Sequence, residues 1–368
     1  MPAQPPPDSP RDPESPHDPE DRRAPESPAA PSTFGDGLRL AVGTLSVFPV
    51  RPGTVDRRAG GRAMALAPLV GAALGAVAAA VLAGALFLGV SPLLASLLAV
   101  GTLALLTRAL HLDGLADLAD GLGSGRPAGQ ALDIMKRSDI GPFGVVTLVF
   151  VLGVQVVALA EVSAAGHGPV ALVAACVAGR LAITWACHEN VPAARPGGLG
   201  ATVAGTVRRG PALAATALSL AGLAVLSLAH HTGALDLLAS SGSAADRRYA
   251  DYSPADSVEG EIASMARGFV IGVENRIGPC PGPSCPLEPG LVVGESDPVV
   301  LLADGLLGGA PFPLVLAGLP LALATGLLAA SALRRRAVRR LGGITGDVLG
   351  ALAETAAAAM LVACAFLW

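Results

Sequence analysis

The sequence predicts an all-α protein, a polytopic transmembrane helical bundle of about seven spans that follows a disordered N-terminal tail. Of the 368 residues, 52% are hydrophobic and 15% are charged, and the mean hydropathy is +0.58. Soluble domains carry about 25% charged residues, so this composition is typical of a membrane protein. In addition, apolar stretches about as long as a bilayer core is thick recur along the chain, and every second loop between them is basic.

The N-terminal tail, residues 1–33, is rich in Pro, Ser, Asp and Glu and contains few residues that could form a core. Such a composition predicts disorder. The tail has neither the basic start nor the apolar segment of a signal peptide. The whole chain has a net charge of −4 and only 3% aromatic residues, which argues against a nucleic-acid partner.

After the tail, the mildly amphipathic pattern of residues 34–50 predicts a segment that lies at the membrane interface. Seven apolar stretches follow, each about 20 residues long and therefore able to span a bilayer. They are Met64–Leu88, Ser91–Leu110, Gly144–Val162, Pro169–Cys187, Pro211–Ala229, Pro313–Leu333 and Asp347–Trp368. The chain thus divides into a first part of a membrane core at residues 34–229, an acidic inserted segment at 230–312 and the last part of the core at 313–368.

The basic residues of the short loops lie before the first stretch and between the second and third, the fourth and fifth, and the sixth and seventh. Basic loops remain in the cytoplasm, so this alternation over seven spans predicts a cytoplasmic N-terminus. The segment 230–312 would then lie outside. It contains Cys280 and Cys285, for which two interpretations are open: a disulfide, or two unpaired thiols in a loop rich in Pro and Gly.

The sequence HLDGLADLADG, residues 111–121, follows the second apolar stretch and repeats Asp at helical spacing. On a helix, Asp113, Asp117 and Asp120 fall within about 60° of arc on one face. Three like charges on one face destabilise a helix unless a cation lies among them. Mg²⁺ suits this set, because it binds a few carboxylates together with substrate phosphates. The alternative is a solvated acidic turn.

A second acidic motif, GGITGDVLGALAE at residues 342–354, opens the last apolar stretch. Asp347 and Glu354 fall on one helical face, and Glu354 lies about two turns inside the apolar region. An ionisable group there is costly and indicates function. Pairing with Arg180, which interrupts the fourth stretch, would satisfy Glu354. A purely structural ion pair between helices is the other interpretation, and both can hold.

Between the acidic motifs lies IMKRSDIGPFG, residues 134–144, which supplies cations near the carboxylates. Lys136 and Arg137 would hold the oxygens of a polyanionic substrate such as a diphosphate. Alternatively, they only anchor the membrane edge. All three motifs fall on the cytoplasmic side in the predicted orientation, which predicts one cytoplasm-facing site. His111 is a candidate base or ligand there, or a structural residue.

These three motifs, in this order and spacing, resemble those of cobalamin synthase, the adenosylcobinamide-GDP ribazoletransferase family. The opening segment FGDGLRLAVGTLSVFPVRP and Arg180 followed by GGLG at 197–200 resemble further parts of that family. The resemblance covers residues 34–230 and 313–368. The tail and the inserted segment depart from the compact family pattern.

The resemblance implies a multi-pass enzyme of the bacterial inner membrane that requires Mg²⁺, and the loop charges place its active site on the cytoplasmic side. Such an enzyme joins adenosylcobinamide-GDP to α-ribazole, or to α-ribazole 5′-phosphate, and releases GMP. The product is adenosylcobalamin or its 5′-phosphate, in a late step of cobalamin biosynthesis. The oligomeric state is left open.

Roles for individual residues follow from this chemistry as hypotheses. Metal held by Asp113, Asp117 and Asp120 would bridge the diphosphate and neutralise charge on the departing GMP. Asp120 or Asp347 would accept the proton of the ribazole 5′-hydroxyl. Contacts to the substrates are assigned to a further set: Asp139, Arg180, Thr345, Asp347 and Glu354.

Two other functions compete with this interpretation. A CDP-alcohol phosphotransferase of phospholipid synthesis would use membrane helices, an Asp cluster and a nucleotide diphosphate donor, but its pattern expects Arg where Asp117 stands and a later acidic element that is missing. An ion or proton transporter would use Glu354, Asp347 and Arg180 as an intramembrane relay. Against a transporter, most of the acids cluster at one membrane face.

Overall fold

The computed structural model describes residues 32–51, 53–231 and 312–368, in which the regular secondary structure is helical apart from two isolated β-bridges. The predictions for residues 1–31 and for Cys280 and Cys285 lie outside the described residues. The helices are α1 Phe34–Leu45, α2 Arg57–Phe87, α3 Pro92–Leu106, α4 Leu110–Gly123, α5 Ala128–Ile134, α6 Pro142–Ala164, α7 Gly168–Ala186, α8 Leu199–Val203, α9 Arg209–His231, α10 Phe312–Leu341 and α11 Gly346–Leu367. The all-α prediction is confirmed.

The first helices begin at polar caps that the sequence supplies. Thr33 and Asp36 form a capping box at α1, in which the Asp36 N–H donates to Thr33 Oγ1 at 3.2 Å and the Thr33 N–H donates to Asp36 Oδ2 at 2.7 Å. At α2, the Ala59 N–H donates to Asp56 Oδ1 at 2.6 Å. These bonds satisfy backbone donors that have no partner within the helix.

Five helices of the described residues are long and apolar enough to cross a membrane: α2, α6, α7, α9 and α11. The bent pair α3 and α4 makes a sixth span if it is counted as one. The sixth predicted stretch, 313–333, lies in α10, which is not among the five and continues through a run of arginines to Leu341. A polytopic helical bundle is therefore confirmed.

The prediction of one continuous span from Ser91 to Leu110 is wrong. α3 ends at Leu106, and the chain turns by 89° before α4 begins. Arg108 and Ala109 make this turn in left-handed conformation, with φ of 53° and 54°. With 15 residues, α3 is only about 22 Å long, shorter than a bilayer core. α4 therefore leaves the direction of α3 and carries the first acidic motif outside the five spans.

Glycines bring the central helices close together, and α7 is buried along most of its length. A Cβ on Gly71 would lie 2.5 Å from the Cys176 carbonyl oxygen, and one on Gly75 would lie 2.9 Å from Cys176 Cβ. α2 and α7 thus pack backbone against backbone, which small residues at four-residue spacing allow.

The two ends of the bundle differ in chemistry. At one end the rings of His167, at the start of α7, and Trp368, after α11, have centroids 4.7 Å apart. At the other end, Arg57 Nη1 donates to the Ala201 carbonyl oxygen at 2.6 Å, and Arg334 Nη1 donates to the Trp185 carbonyl oxygen at 3.2 Å. The second end holds both acidic motifs and is the polar end of the bundle.

Candidate active site

A cavity of about 310 Å³ opens at the polar end of the bundle. It lies where α4, the start of α11 and the loop between α7 and α8 meet. Its charged or polar lining residues include Asp113, Asp347, Arg195, His111 and Thr345. The structure thus brings the first and second acidic motifs into one site, as the sequence predicted.

Two glycines bring the acidic helices α4 and α11 together. A Cβ on Gly114 would lie 2.7 Å from the Asp347 carbonyl oxygen, and a Cβ on Gly350 would lie 2.9 Å from His111 Cα. Each glycine therefore faces backbone of the other helix at a distance that no side chain tolerates. This reciprocal contact places Asp113 and Asp347 beside the same cavity.

The loop before α8 is fixed against the start of α11 by main-chain hydrogen bonds. The Ala194 N–H donates to the Ile344 carbonyl oxygen at 3.0 Å, and the Ile344 N–H donates to the Pro192 carbonyl oxygen at 2.9 Å. Gly198, with φ of +84°, continues the loop in a conformation that favours glycine. The loop carries Arg195 into the cavity.

Arg195 is a site residue that the sequence reasoning missed. Its Nη2 donates to the Leu132 carbonyl oxygen at 2.5 Å, and its Nε is buried with no hydrogen-bond partner among the described residues. A buried donor without a partner is costly and indicates a group that awaits a ligand. The signal in the sequence is an arginine two residues before the Gly-rich segment 197–200, within the basic loop between the fourth and fifth apolar stretches.

The carboxylates at this end crowd one another. Burial, followed by the negative charges of Asp113, Asp347 and Asp120, raises the pKa of Asp117 to about 7, and the charge of Arg195 opposes this rise. Asp117 does not line the cavity itself. Negative charges around a half-buried carboxylate are unfavourable, and a bound cation would offset them; the metal role of Asp117 stays a prediction.

The donor set fits Mg²⁺ in the usual manner of phosphoryl-transfer sites. Among the residues that the structure describes, no three His, Cys, Asp or Glu side chains converge closely enough to hold a metal alone. Mg²⁺ however is commonly held by one or two carboxylates, with substrate phosphates and water as its other ligands. Asp113 and Asp347 line the cavity, and the carboxylate of either residue offers oxygen atoms of that kind.

Asp120 points away from the cavity to the start of α6. Its Oδ2 accepts the Gly141 N–H at 2.7 Å and its Oδ1 accepts the Gly144 N–H at 2.9 Å. The carboxylate is buried and closes the N-terminus of α6, where a negative charge is favourable. These are the contacts of a residue that positions α4 against α6. A metal or base role for Asp120 stays a prediction.

The second acid of the later motif, Glu354, lies deeper in the bundle. Its Oε2 accepts a hydrogen bond from Gln155 Nε2 at 2.8 Å. The predicted direct pairing of Glu354 with Arg180 is not formed: in the described part of the chain, no ion pair within 4 Å joins the two side chains. Both residues nevertheless line one small internal pocket. Gln155, on the facing helix α6, satisfies the carboxylate in place of Arg180.

Arg180 connects this deeper pocket to the cavity through His111. Its Nη2 lies 3.5 Å from His111 Nδ1, and its side chain is 4% exposed. Burial, followed by the Arg180 charge, lowers the pKa of His111, so the imidazole is neutral there. Neither Arg180 nor Glu354 lines the larger cavity, and their substrate contacts stay predictions.

Thr345 lies where the sequence placed it, at the N-terminus of α11. Its Oγ1 donates to Asp347 Oδ2 at 3.1 Å and accepts the Val348 N–H at 3.3 Å, which orients Asp347 at the cavity. The cation motif lies elsewhere: Lys136 is exposed and its Nζ is 3.8 Å from Asp133 Oδ1. Lys136, Arg137 and Asp139 do not line the cavity, so their phosphate and substrate contacts stay predictions.

Fold and site together define a polytopic helical membrane protein with a carboxylate- and arginine-lined cavity at one end of the bundle. The profile of the family described as Cobalamin-5-phosphate synthase matches residues 37–250 and 291–365. This chain belongs to that family.

Curated relatives carry a consistent name. A Frankia casuarinae protein named Adenosylcobinamide-GDP ribazoletransferase is 46% identical over 207 residues, which are 54% of this chain and 72% of the relative. A Nocardioides protein with the same name is 44% identical over 200 residues, 54% of this chain and 86% of the relative. No solved structure matches the chain.

Proposed function

We propose that this chain is an adenosylcobinamide-GDP ribazoletransferase. It joins adenosylcobinamide-GDP to α-ribazole or α-ribazole 5′-phosphate and forms adenosylcobalamin or its 5′-phosphate, with release of GMP. Family membership and the names of the relatives support the activity. The structural observation that carries the proposal is the cavity that Asp113, Asp347 and Arg195 line together.

The reaction forms one bond and breaks one. The ribazole 5′-hydroxyl oxygen bonds to the phosphorus that carries the cobinamide, the bond from that phosphorus to the bridging oxygen breaks, and GMP leaves with the electron pair. The hydroxyl proton passes to a carboxylate. Asp347 suits this step better than Asp120, because Asp347 lines the cavity whereas both oxygens of Asp120 are engaged by backbone N–H groups.

The diphosphate is bound by donors that the cavity already presents. Arg195 supplies a guanidinium whose Nε has no partner among the described residues. The N-terminus of α11 adds backbone N–H groups and the positive end of a 22-residue helix. Gly197 and Gly198 have open space where a Cβ would stand, so the substrate can approach the loop backbone.

Mg²⁺ is the cofactor that suits this site. When bound by Asp113, with Asp117 adding negative charge beside it and Asp347 left to accept the proton, it would supply charge neutralisation for the diphosphate and the departing GMP. The charges of Asp113, Asp347 and Asp120, which add to burial in raising the pKa of Asp117, support this assignment.

The enzyme would lie in the bacterial inner membrane with the polar end in the cytoplasm. The arginines at that end of the bundle support this orientation through the positive-inside rule. Such an orientation exposes the cavity to nucleotide-bearing substrates.

The test is a GMP-release assay with purified full-length protein, adenosylcobinamide-GDP and α-ribazole. We expect GMP and a cobalamin product in the presence of Mg²⁺ and neither after chelation. Asp113→Asn is the matched inactive variant, since it keeps the shape of the side chain and removes its charge. Release of CMP from a CDP-alcohol donor, without GMP from adenosylcobinamide-GDP, would assign the chain to phospholipid synthesis instead.

A further inference from the structure

A basic groove lies beside α10, outside the candidate active site. It has a volume of about 430 Å³ and is lined by Arg334, Arg335 and Arg339 on α10 and by His188 and Asn190 on the facing loop. The groove and the cavity of the acidic motifs have no lining residue in common.

The arginines of this groove are not neutralised by neighbouring acids. Within the described ranges, no carboxylate oxygen lies within 4 Å of Arg334, Arg335 or Arg339. Glu189, next to the groove, is 3.5 Å from Arg209 Nε and 4.0 Å from Nε2 of the groove residue His188. The groove therefore presents positive charge that an anion would compensate.

An apolar crevice continues from the groove into the bundle. It has a volume of about 140 Å³, is lined by Trp185, Leu327, Ala330 and Leu352 among others, and shares Arg334 with the groove. Leu327 lies two turns before Arg334, or about 10 Å along the helix. On the outer side of α10, Leu328 is 69% exposed, which is typical of a lipid-facing position.

The basic groove and the apolar crevice together are complementary to an amphiphile, which has a charged head group and an apolar chain. We propose that an anionic phospholipid binds here, with its phosphate at Arg334, Arg335 and Arg339 and an acyl chain in the crevice. One arginine guanidinium can bind two phosphate oxygens at once, and arginines next to a membrane attract anionic lipids. A soluble phosphate ester would use the arginines but would leave the crevice empty, so the lipid is the occupant that fits both parts. The proposal does not depend on the transferase activity.

The test compares lipid binding to the full chain in phosphatidylcholine nanodiscs with and without phosphatidylglycerol. Native mass spectrometry gives the retained lipid, and thermal unfolding gives the lipid-dependent rise in Tm. The Arg335→Gln, Arg339→Gln double variant should weaken phosphatidylglycerol binding about tenfold or more and lose the rise in Tm. Arg51→Gln, Arg58→Gln is the matched control, because it removes the same charge from exposed arginines elsewhere and should behave as wild type.

A second variant tests the crevice. Ala330, which is 3% exposed, lines the crevice, and Ala330→Leu would fill it and should reduce phosphatidylglycerol retention while the arginines remain. If Ala330→Leu does not fold, the proposal is tested by the comparison of the Arg335→Gln, Arg339→Gln variant with its control alone. Equal binding by the two arginine double variants would overturn the proposal. Displacement of phosphatidylglycerol by inorganic phosphate, with Ala330→Leu binding normally, would also overturn it and assign the groove to a soluble phosphate ester.

Discussion

Asp117 and Asp120 lie one turn apart on α4, yet their surroundings differ. Asp117 is surrounded by other acids, and burial together with their charges raises its pKa to about 7. Asp120 is buried and accepts two backbone N–H bonds from the start of α6. The first carboxylate is held in an unfavourable field that a cation would relieve, while the second is already satisfied by the protein. Residues of one motif therefore have separable roles.

This difference predicts opposite effects of the two isosteric substitutions. Asp117→Asn should reduce GMP release at least about 100-fold, because it removes charge from the cation-binding field. Its unfolding temperature should stay the same or rise, since like-charge repulsion is relieved. Asp120→Asn should lower the free energy of unfolding by about 1–3 kcal/mol, because an amide cannot accept both N–H bonds. Turnover rates and thermal unfolding of both purified variants measure this. Near-normal turnover of Asp117→Asn would contradict the cation-binding role.

Arg195 lines the cavity, and its buried Nε has no hydrogen-bond partner among the described residues. Arg195→Gln should lower kcat/KM for adenosylcobinamide-GDP by about 100-fold, because a charged donor aimed at the phosphates is lost. Arg195→Lys should recover only part of this, since lysine keeps the charge but not the paired N–H geometry. Arg126→Gln, at an exposed arginine outside the cavity, is the control. If Arg195→Gln and the control give the same kcat/KM, the residue does not contact the diphosphate.

At the scale of elements, the candidate site depends on the crossing of α4 and α11. Helical spacing predicted that Asp113, Asp117 and Asp120 share one helix, and α4 confirms it. Their convergence with Asp347 was predicted from loop charges alone. The physical basis of the contact is Gly114 against the Asp347 backbone and Gly350 against the His111 backbone. Motif spacing along the chain does not report such contacts between helices.

Other features had no signal in the sequence. The 89° turn between α3 and α4 is made by Arg108 and Ala109, which are neither Gly nor Pro and rarely adopt left-handed conformation. Apolar residues lie on both sides of Arg108, so the hydropathy of that region predicted one straight span across it. Likewise, Gln155 satisfies Glu354 from α6, a partner that only the packing of the helices reveals.

The crossing predicts that a single added methyl group disrupts the site. In Gly114→Ala the new Cβ would meet Asp347 main-chain atoms at 2.7 and 2.8 Å, and backbone cannot move aside as a flexible side chain can. Turnover should fall about 100-fold, since displacements near 1 Å at a reacting centre cost that much. The free energy of unfolding should fall by about 1–3 kcal/mol.

Gly153→Ala on α6 is the matched control for this substitution. No atom lies within 4 Å of its added Cβ, so turnover should be unchanged. Its stability should be equal or higher, because alanine is the better helix former. Equal turnover of the two variants would mean that the close contact between α4 and α11 does not position the site.

At the scale of the whole molecule, the chain separates its chemistry between the two ends of the bundle. α7 starts and α11 finishes at the end where the rings of His167 and Trp368 meet. Arg57, Arg195 and Arg334 hold backbone carbonyl groups at the opposite end, beside the acidic motifs. The loop charges predicted that the basic loops lie on one side of the membrane, and in the structure these arginines lie at one end of the bundle. Which end faces the cytoplasm follows only from the positive-inside rule and stays a prediction.

Cysteine labelling can decide the orientation. The described native cysteines are buried, so a background with Cys280 and Cys285 replaced by serine should react little with a membrane-impermeant maleimide. Gln130, at the arginine-rich end, and Ala165, at the opposite end, are exposed. In intact spheroplasts Ala165→Cys should react and Gln130→Cys should not, whereas both should react after lysis. GMP release by both variants confirms that they fold. The reverse labelling pattern would place the cavity outside the cell, away from cytoplasmic nucleotides, and would require both the orientation and the proposed access of substrate to be abandoned.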